Sequence, residues 1–120
     1  MKWFLVKYIY QIISGTGCHQ DQYDEQLRLI VASDFVFAFH KAVSLADSFN
    51  PSFINFKGES VDWKFVGLLD LTEIQDPADG TEVNAILHEP EDITAFLNRI
   101  ELCKRFLQQR ILDKNDMNNT

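Results

Sequence analysis

At 120 residues the chain is long enough for one domain with a core of its own. Hydrophobic residues make up 46% and charged ones 24%, which excludes a disordered or collagen-like chain. Eleven basic residues against 18 acidic ones leave a net charge of −7, which argues against a general nucleic-acid or anionic-membrane binder and leaves basic proteins and cations as partners.

No apolar run reaches the roughly 20 residues of a membrane span. Lys2, the apolar stretch from Trp3 and Cys18 after Gly17 have the outline of an export signal, but Lys7 and Gln11 interrupt the stretch. Residues 3–13 read instead as a long strand. Phe4, Val6, Tyr8, Tyr10 and Ile12 are apolar or aromatic, and so are Trp3, Leu5 and Ile9 between them. Both faces of such a strand should be covered. Residues 14–21 form a loop with glycines suited to positive φ. A second strand fits 22–32, completing a hairpin. Tyr23, Leu27, Leu29 and Val31 share its expected inner face, and Asp24, Gln26 and Arg28 the wet one.

Ser33 or Asp34 suits a helix N-cap. The helix should run to about Phe49, with Phe35, Ala38, Phe39, Ala42, Leu45, Ala46 and Phe49 on its buried stripe. Asn50-Pro51 ends it. Three strands are expected next, over 53–56, 61–71 and 81–88, the last one after an Asp79-Gly80 turn. Pro90 opens a final helix to about Leu112, because a missing N–H costs nothing in a first turn. Residues 113–120 carry no apolar period and are expected to fray, and Cys103 falls among core positions. The expected fold is α+β in the order ββαβββα, a single domain over 1–112, with an antiparallel sheet and two helices packed on one face.

Met1-Lys2-Trp3-Phe4, the run Tyr23-Asp24-Glu25-Gln26-Leu27-Arg28-Leu29-Ile30, Ala38-Phe39, Lys41-Ala42 and Trp63-Lys64-Phe65-Val66 together give the chain a resemblance. It resembles the domain of unknown function 4288 family of small bacterial proteins, over nearly the whole chain up to the final helix. The resemblance implies a bacterial, cytoplasmic origin and carries over no catalytic residue.

The densest set of reactive side chains is Cys18-His19, followed by Asp21, Asp24 and Glu25. A thiolate beside an imidazole can bind a metal or act as nucleophile and base. The paired spacing of a zinc site is missing, and neighbours on an extended chain point apart. A polar hairpin loop is the expected reading, with no metal and no cofactor. His40 and His88 stand alone, off the apolar stripe and at a strand end. Phosphate-loop, nucleophile-elbow and zinc-protease motifs are absent from the sequence. Asp79-Gly80-Thr81-Glu82 fails as a calcium loop, because Gln75, Pro77 and Ile86 fall where carboxylates belong.

Two features point to interaction. Tyr23, Asp24, Glu25 and Arg28 put polar groups on both sides of the second strand, forming a candidate binding set. A carboxylate such as Glu25 facing inward would need a partner. In the final helix, Ile93, Phe96, Leu97, Ile100, Cys103, Leu107 and Ile111 form one stripe, while Leu102 and Phe106 lie opposite it. Phe37 similarly points away from the first helix's main stripe. Leu102, Phe106 and Phe37 are therefore the expected oligomer interface. The charges are also segregated. Asp70 to Asp92 contains eight carboxylates and no Lys or Arg, while Arg99 to Lys114 contains five basic residues and two acidic ones. The expected function is a small acidic interaction module, a homodimer or bound to a protein partner, without nucleic acid or membrane. The alternative is a small enzyme or metal protein using Cys18, His19 and Glu25.

Overall fold

The computed structural model describes residues 1–118. Contacts divide the chain into two compact units, Met1–Ala85 and a second beginning at Ile86. The first unit holds β1 (Lys2–Ser14), β2 (Gln22–Ala32), α1 (Phe35–Leu45), a 3-10 turn (Ala46–Ser48), β3 (Phe53–Ile54) and β4 (Ser60–Ile74). The second holds α2 (Ile93–Asn118). The fold is α+β, and its sheet is antiparallel throughout in the order β2-β1-β4-β3.

β1 is an interior strand, as its two apolar faces require. It pairs along its length with β2 (Phe4 opposite Ile30, Tyr8 opposite Gln26) and with β4 (Val6 opposite Leu71, Tyr10 opposite Phe65). Two register shifts leave Val66 and Leu69 of β4 as extra residues, both exposed. β-bulges of this kind raise local twist and let a long strand curve.

The even side of β1 is the core side. Phe4, Val6, Tyr8 and Tyr10 are fully buried there. α1 lies over them on a stripe of small residues, Ala38, Ala42 and Ala46, spaced four apart and all buried. Methyl side chains let the helix approach the sheet closely enough for the tyrosine hydroxyls to reach its backbone. Tyr8 Oη donates to Ala42 O at 2.7 Å, and Tyr10 Oη donates to Ala46 O at 2.6 Å. The helix tightens at that point, since the Ala46 N–H turns to Val43 O. The Ala42 carbonyl is thereby left for Tyr8, a side-chain answer to an orphan group at a helix end. Asp34 caps the other end, accepting from Phe37 N at 2.8 Å.

The expected stripe on α1 is narrower than the sequence suggests. Phe35 and Phe39 are exposed, and only the alanines, with Leu45 and Phe49 at the margin, enter the core. The close helix–sheet spacing that alanine permits leaves no room beneath the helix for a phenylalanine ring.

A second expectation is reversed. Asp24, Gln26 and Arg28 lie on the helix side of β2 and are half-buried, while Tyr23, Glu25, Leu27 and Leu29 point to the opposite face and are exposed. The register decides this, because Asp24, Gln26 and Arg28 stand opposite Tyr10, Tyr8 and Val6 of the buried side.

Among the described residues the sheet has four strands, not the expected five, because segment 81–88 pairs with none of them. The turn before it does form. Gly80 takes φ +86°, and Thr81 N donates to Ala78 O at 3.1 Å. Residues 82–85 then return beside β4, where Glu82, Val83 and Asn84 face Asp70, Thr72 and Glu73 across an open cleft.

In the second unit, Asp92 rather than Pro90 marks the helix start, its carboxylate accepting from Ala95 N at 3.0 Å. α2 continues past Leu112 through the stretch expected to fray, supported by Gln109 Nε2 donating to Asp113 Oδ1 at 3.0 Å. Asn119 and Thr120 of that stretch lie outside the described residues. Cys103 is exposed, because among its described residues α2 contributes none to the buried core. Among the described residues, no helix is long and apolar enough to cross a membrane.

Candidate interaction surface

β2 is an edge strand eleven residues long, and it brings the four candidate residues to the surface in two pairs. Strand alternation sends successive side chains to opposite faces. Asp24 and Arg28 therefore share the helix side, and Tyr23 and Glu25 share the open side.

On the helix side, Gln26 links the two charges. Its Nε2 donates to Asp24 Oδ2 at 2.8 Å and to Asn50 Oδ1 at 2.9 Å, and its Oε1 accepts from Arg28 at 2.9 Å. Trp63 Nε1 donates to Asp24 Oδ2 at 3.1 Å. The Arg28 guanidinium lies 4.0 Å over the Phe49 ring, a cation–π contact, while its Nε is buried without a hydrogen-bond partner among the described residues. Asp24 and Arg28 are charges of opposite sign on one face, and neither forms an ion pair among the described residues. Behind them, burial pushes the Tyr8 hydroxyl up to about 12, with Tyr10 adding to the shift and Arg28 opposing it. Burial raises Tyr10 as well, against the same pull from Arg28. Both phenols therefore stay protonated donors at neutral pH.

On the open side, Tyr23, Leu27 and Leu29 are 59%, 53% and 45% exposed. Together they make an apolar row along the edge strand, continuous with Leu5 opposite Leu29 on β1. Glu25 sits in this row, exposed, so it needs no buried partner.

α1 flanks the same edge. Lys41 Nζ donates to the Val31 carbonyl of β2 at 2.7 Å. Phe37 lies one turn before Lys41 on that flank and is exposed. In the second unit, Leu102 and Phe106 are 53% and 70% exposed, beside Arg105 and Gln109.

The Cys18–His19 loop holds its own shape. Ser14 N donates to His19 Nε2 at 3.0 Å, and His19 Nδ1 lies 2.8 Å from Gln20 O. An accepting Nε2 fixes the proton on Nδ1, so both ring nitrogens serve the loop backbone. Gly15 and Gly17 supply the positive φ that this turn needs. Sequence reasoning missed this loop-closing histidine and the edge lysine. The five-residue separation of Ser14 from His19 gave the only hint of the first.

Residues 3–85 match a family described as Domain of unknown function (DUF4288). The matched stretch stops at Ala85, where the first compact unit also stops. No curated protein and no solved structure matches the chain.

Proposed function

We propose that the chain, which belongs to the DUF4288 family, is a self-associating protein-interaction module rather than an enzyme, acting in the bacterial cytoplasm. The observation that carries this reading is the apolar row of Tyr23, Leu27 and Leu29, exposed along a long edge strand. Exposed apolar rows with polar neighbours mark interaction surfaces on small domains. Phe37 on α1 is exposed in the same unit, and in the second unit the Leu102–Phe106 pair is exposed on α2. The net charge of −7 makes a basic region the natural complement for any further protein partner, and such binding would weaken with salt.

Sedimentation equilibrium of the full chain at micromolar concentration tests the reading. A dimer mass is expected, and a monomer at every concentration would overturn it.

A further inference from the structure

The open edge of β2 carries a self-complementary pattern, and from it we propose that two copies of this chain join β2 to β2, antiparallel, into one continuous eight-stranded sheet. This deepens the self-association reading above and rests on it.

The backbone decides which groups face the edge. Gly15 N donates to Ser60 O at 2.9 Å, so the odd positions of β1 bond to β4 and the even ones to β2. Register then turns the even positions of β2 toward β1 and the odd ones, Tyr23, Glu25, Leu27 and Leu29, toward the open edge. The Val31 carbonyl also points outward on this reckoning, and that carbonyl is the one Lys41 takes up. The two observations agree. A row of unpaired N–H and C=O groups without proline is a template for another strand.

A two-fold axis perpendicular to the sheet keeps each face on its own side, so residues of equal parity must stand opposite one another. Placing Gln26 opposite its symmetry mate puts Asp24 of one copy opposite Arg28 of the other, twice. Neither charge has an ion pair of its own among the described residues. They fall at non-hydrogen-bonded pairs, where cross-strand side chains come closest. The same register sets exposed Tyr23 opposite exposed Leu29, and Glu25 opposite Leu27, so the apolar rows of the two copies run together. It pairs residues 22 through 30 of each copy. Val31, with its carbonyl capped by Lys41, lies just beyond that window. Lysine is a common device for stopping strand pairing at an edge, and here it stands where the pairing ends.

The test is amide hydrogen exchange on the full-length protein, read residue by residue at low and high concentration beside sedimentation. Protection of the Glu25 and Leu27 amides should rise about tenfold or more as the dimer forms, while the Gln26 and Arg28 amides stay protected throughout. Leu27→Pro supplies the second arm. Its lost N–H faces the open edge, so the β1–β2 ladder keeps every bond while the intermolecular one fails. The variant should be a folded monomer.

A dimer whose Glu25 and Leu27 amides exchange freely, or a Leu27→Pro protein that still dimerises, would overturn edge pairing and leave self-association standing. A wild-type monomer would overturn both. If Leu27→Pro does not fold, the wild-type exchange pattern alone decides.

Discussion

Removing the Tyr8 hydroxyl tests how α1 is held on the sheet. In Tyr8→Phe the ring keeps its packing, with Phe49, Tyr10 and Phe65 at centroid distances of 5.5, 5.9 and 6.0 Å. What is lost is the 2.7 Å bond to Ala42 O, whose helical partner has already turned to Val43 O. A lost net hydrogen bond costs about 1 kcal/mol, and a buried carbonyl left unsatisfied adds to that, so a loss of about 1–2 kcal/mol is expected. For a unit of this size that lowers Tm by about 4–8 °C per kcal/mol.

Urea unfolding at neutral pH reads the loss, and repeating it in alkali gives an independent check. Because the folded state holds the Tyr8 proton up to about 12 against an ordinary 10.0, the stabilisation is complete below pH 10 and is lost as pH rises toward 12. That shift corresponds to at most about 3 kcal/mol at full ionisation. Tyr8→Phe should lack this part of the alkaline loss, while Tyr10, also raised, still contributes its own. A variant as stable as the parent at neutral pH, with the same alkaline loss, would refute the role given to the hydroxyl.

Ala42→Leu should destabilise by about 1–3 kcal/mol in the same assay, since Ala42 is fully buried over the tyrosines; unchanged stability would mean that the helix–sheet gap is not tight. Leu102→Glu combined with Phe106→Glu should raise the dissociation constant of the dimer about tenfold while leaving the unfolding midpoint of the first unit in place, because both side chains are exposed on α2. Unchanged sedimentation would assign that apolar pair to some other contact.

The interior place of β1, a helix cap at Ser33 or Asp34 and the Asp79-Gly80 turn were legible because each rests on a local rule: apolar residues on both faces of a strand, a side-chain cap, a turn dipeptide. The face of β2 was not. Tyr23, Leu27 and Leu29 look like an inner row, and only pairing with β1 reveals that Asp24, Gln26 and Arg28 share the side of Tyr8 and Tyr10. Residues 81–88 failed for a related reason. A strand exists through its ladder, and local alternation cannot supply a partner. The seven-residue apolar stripe of α1 and the 3-10 turn contains three alanines, and it is these that let the helix sit close on the sheet, which periodicity alone does not reveal. Of the candidate site, the chain run of Tyr23, Asp24, Glu25 and Arg28 was legible, but its division between two faces was not. The opposition of Asp24 and Arg28 across a two-fold emerged only once β2 was known to be an edge strand.

Sedimentation equilibrium of the full-length chain, from low micromolar concentration upward and at two salt concentrations, tests the central claim most directly. Self-association predicts twice the chain mass, with a dissociation constant that rises with salt as the Asp24–Arg28 pairs are screened. A single-chain mass across the whole range would contradict it.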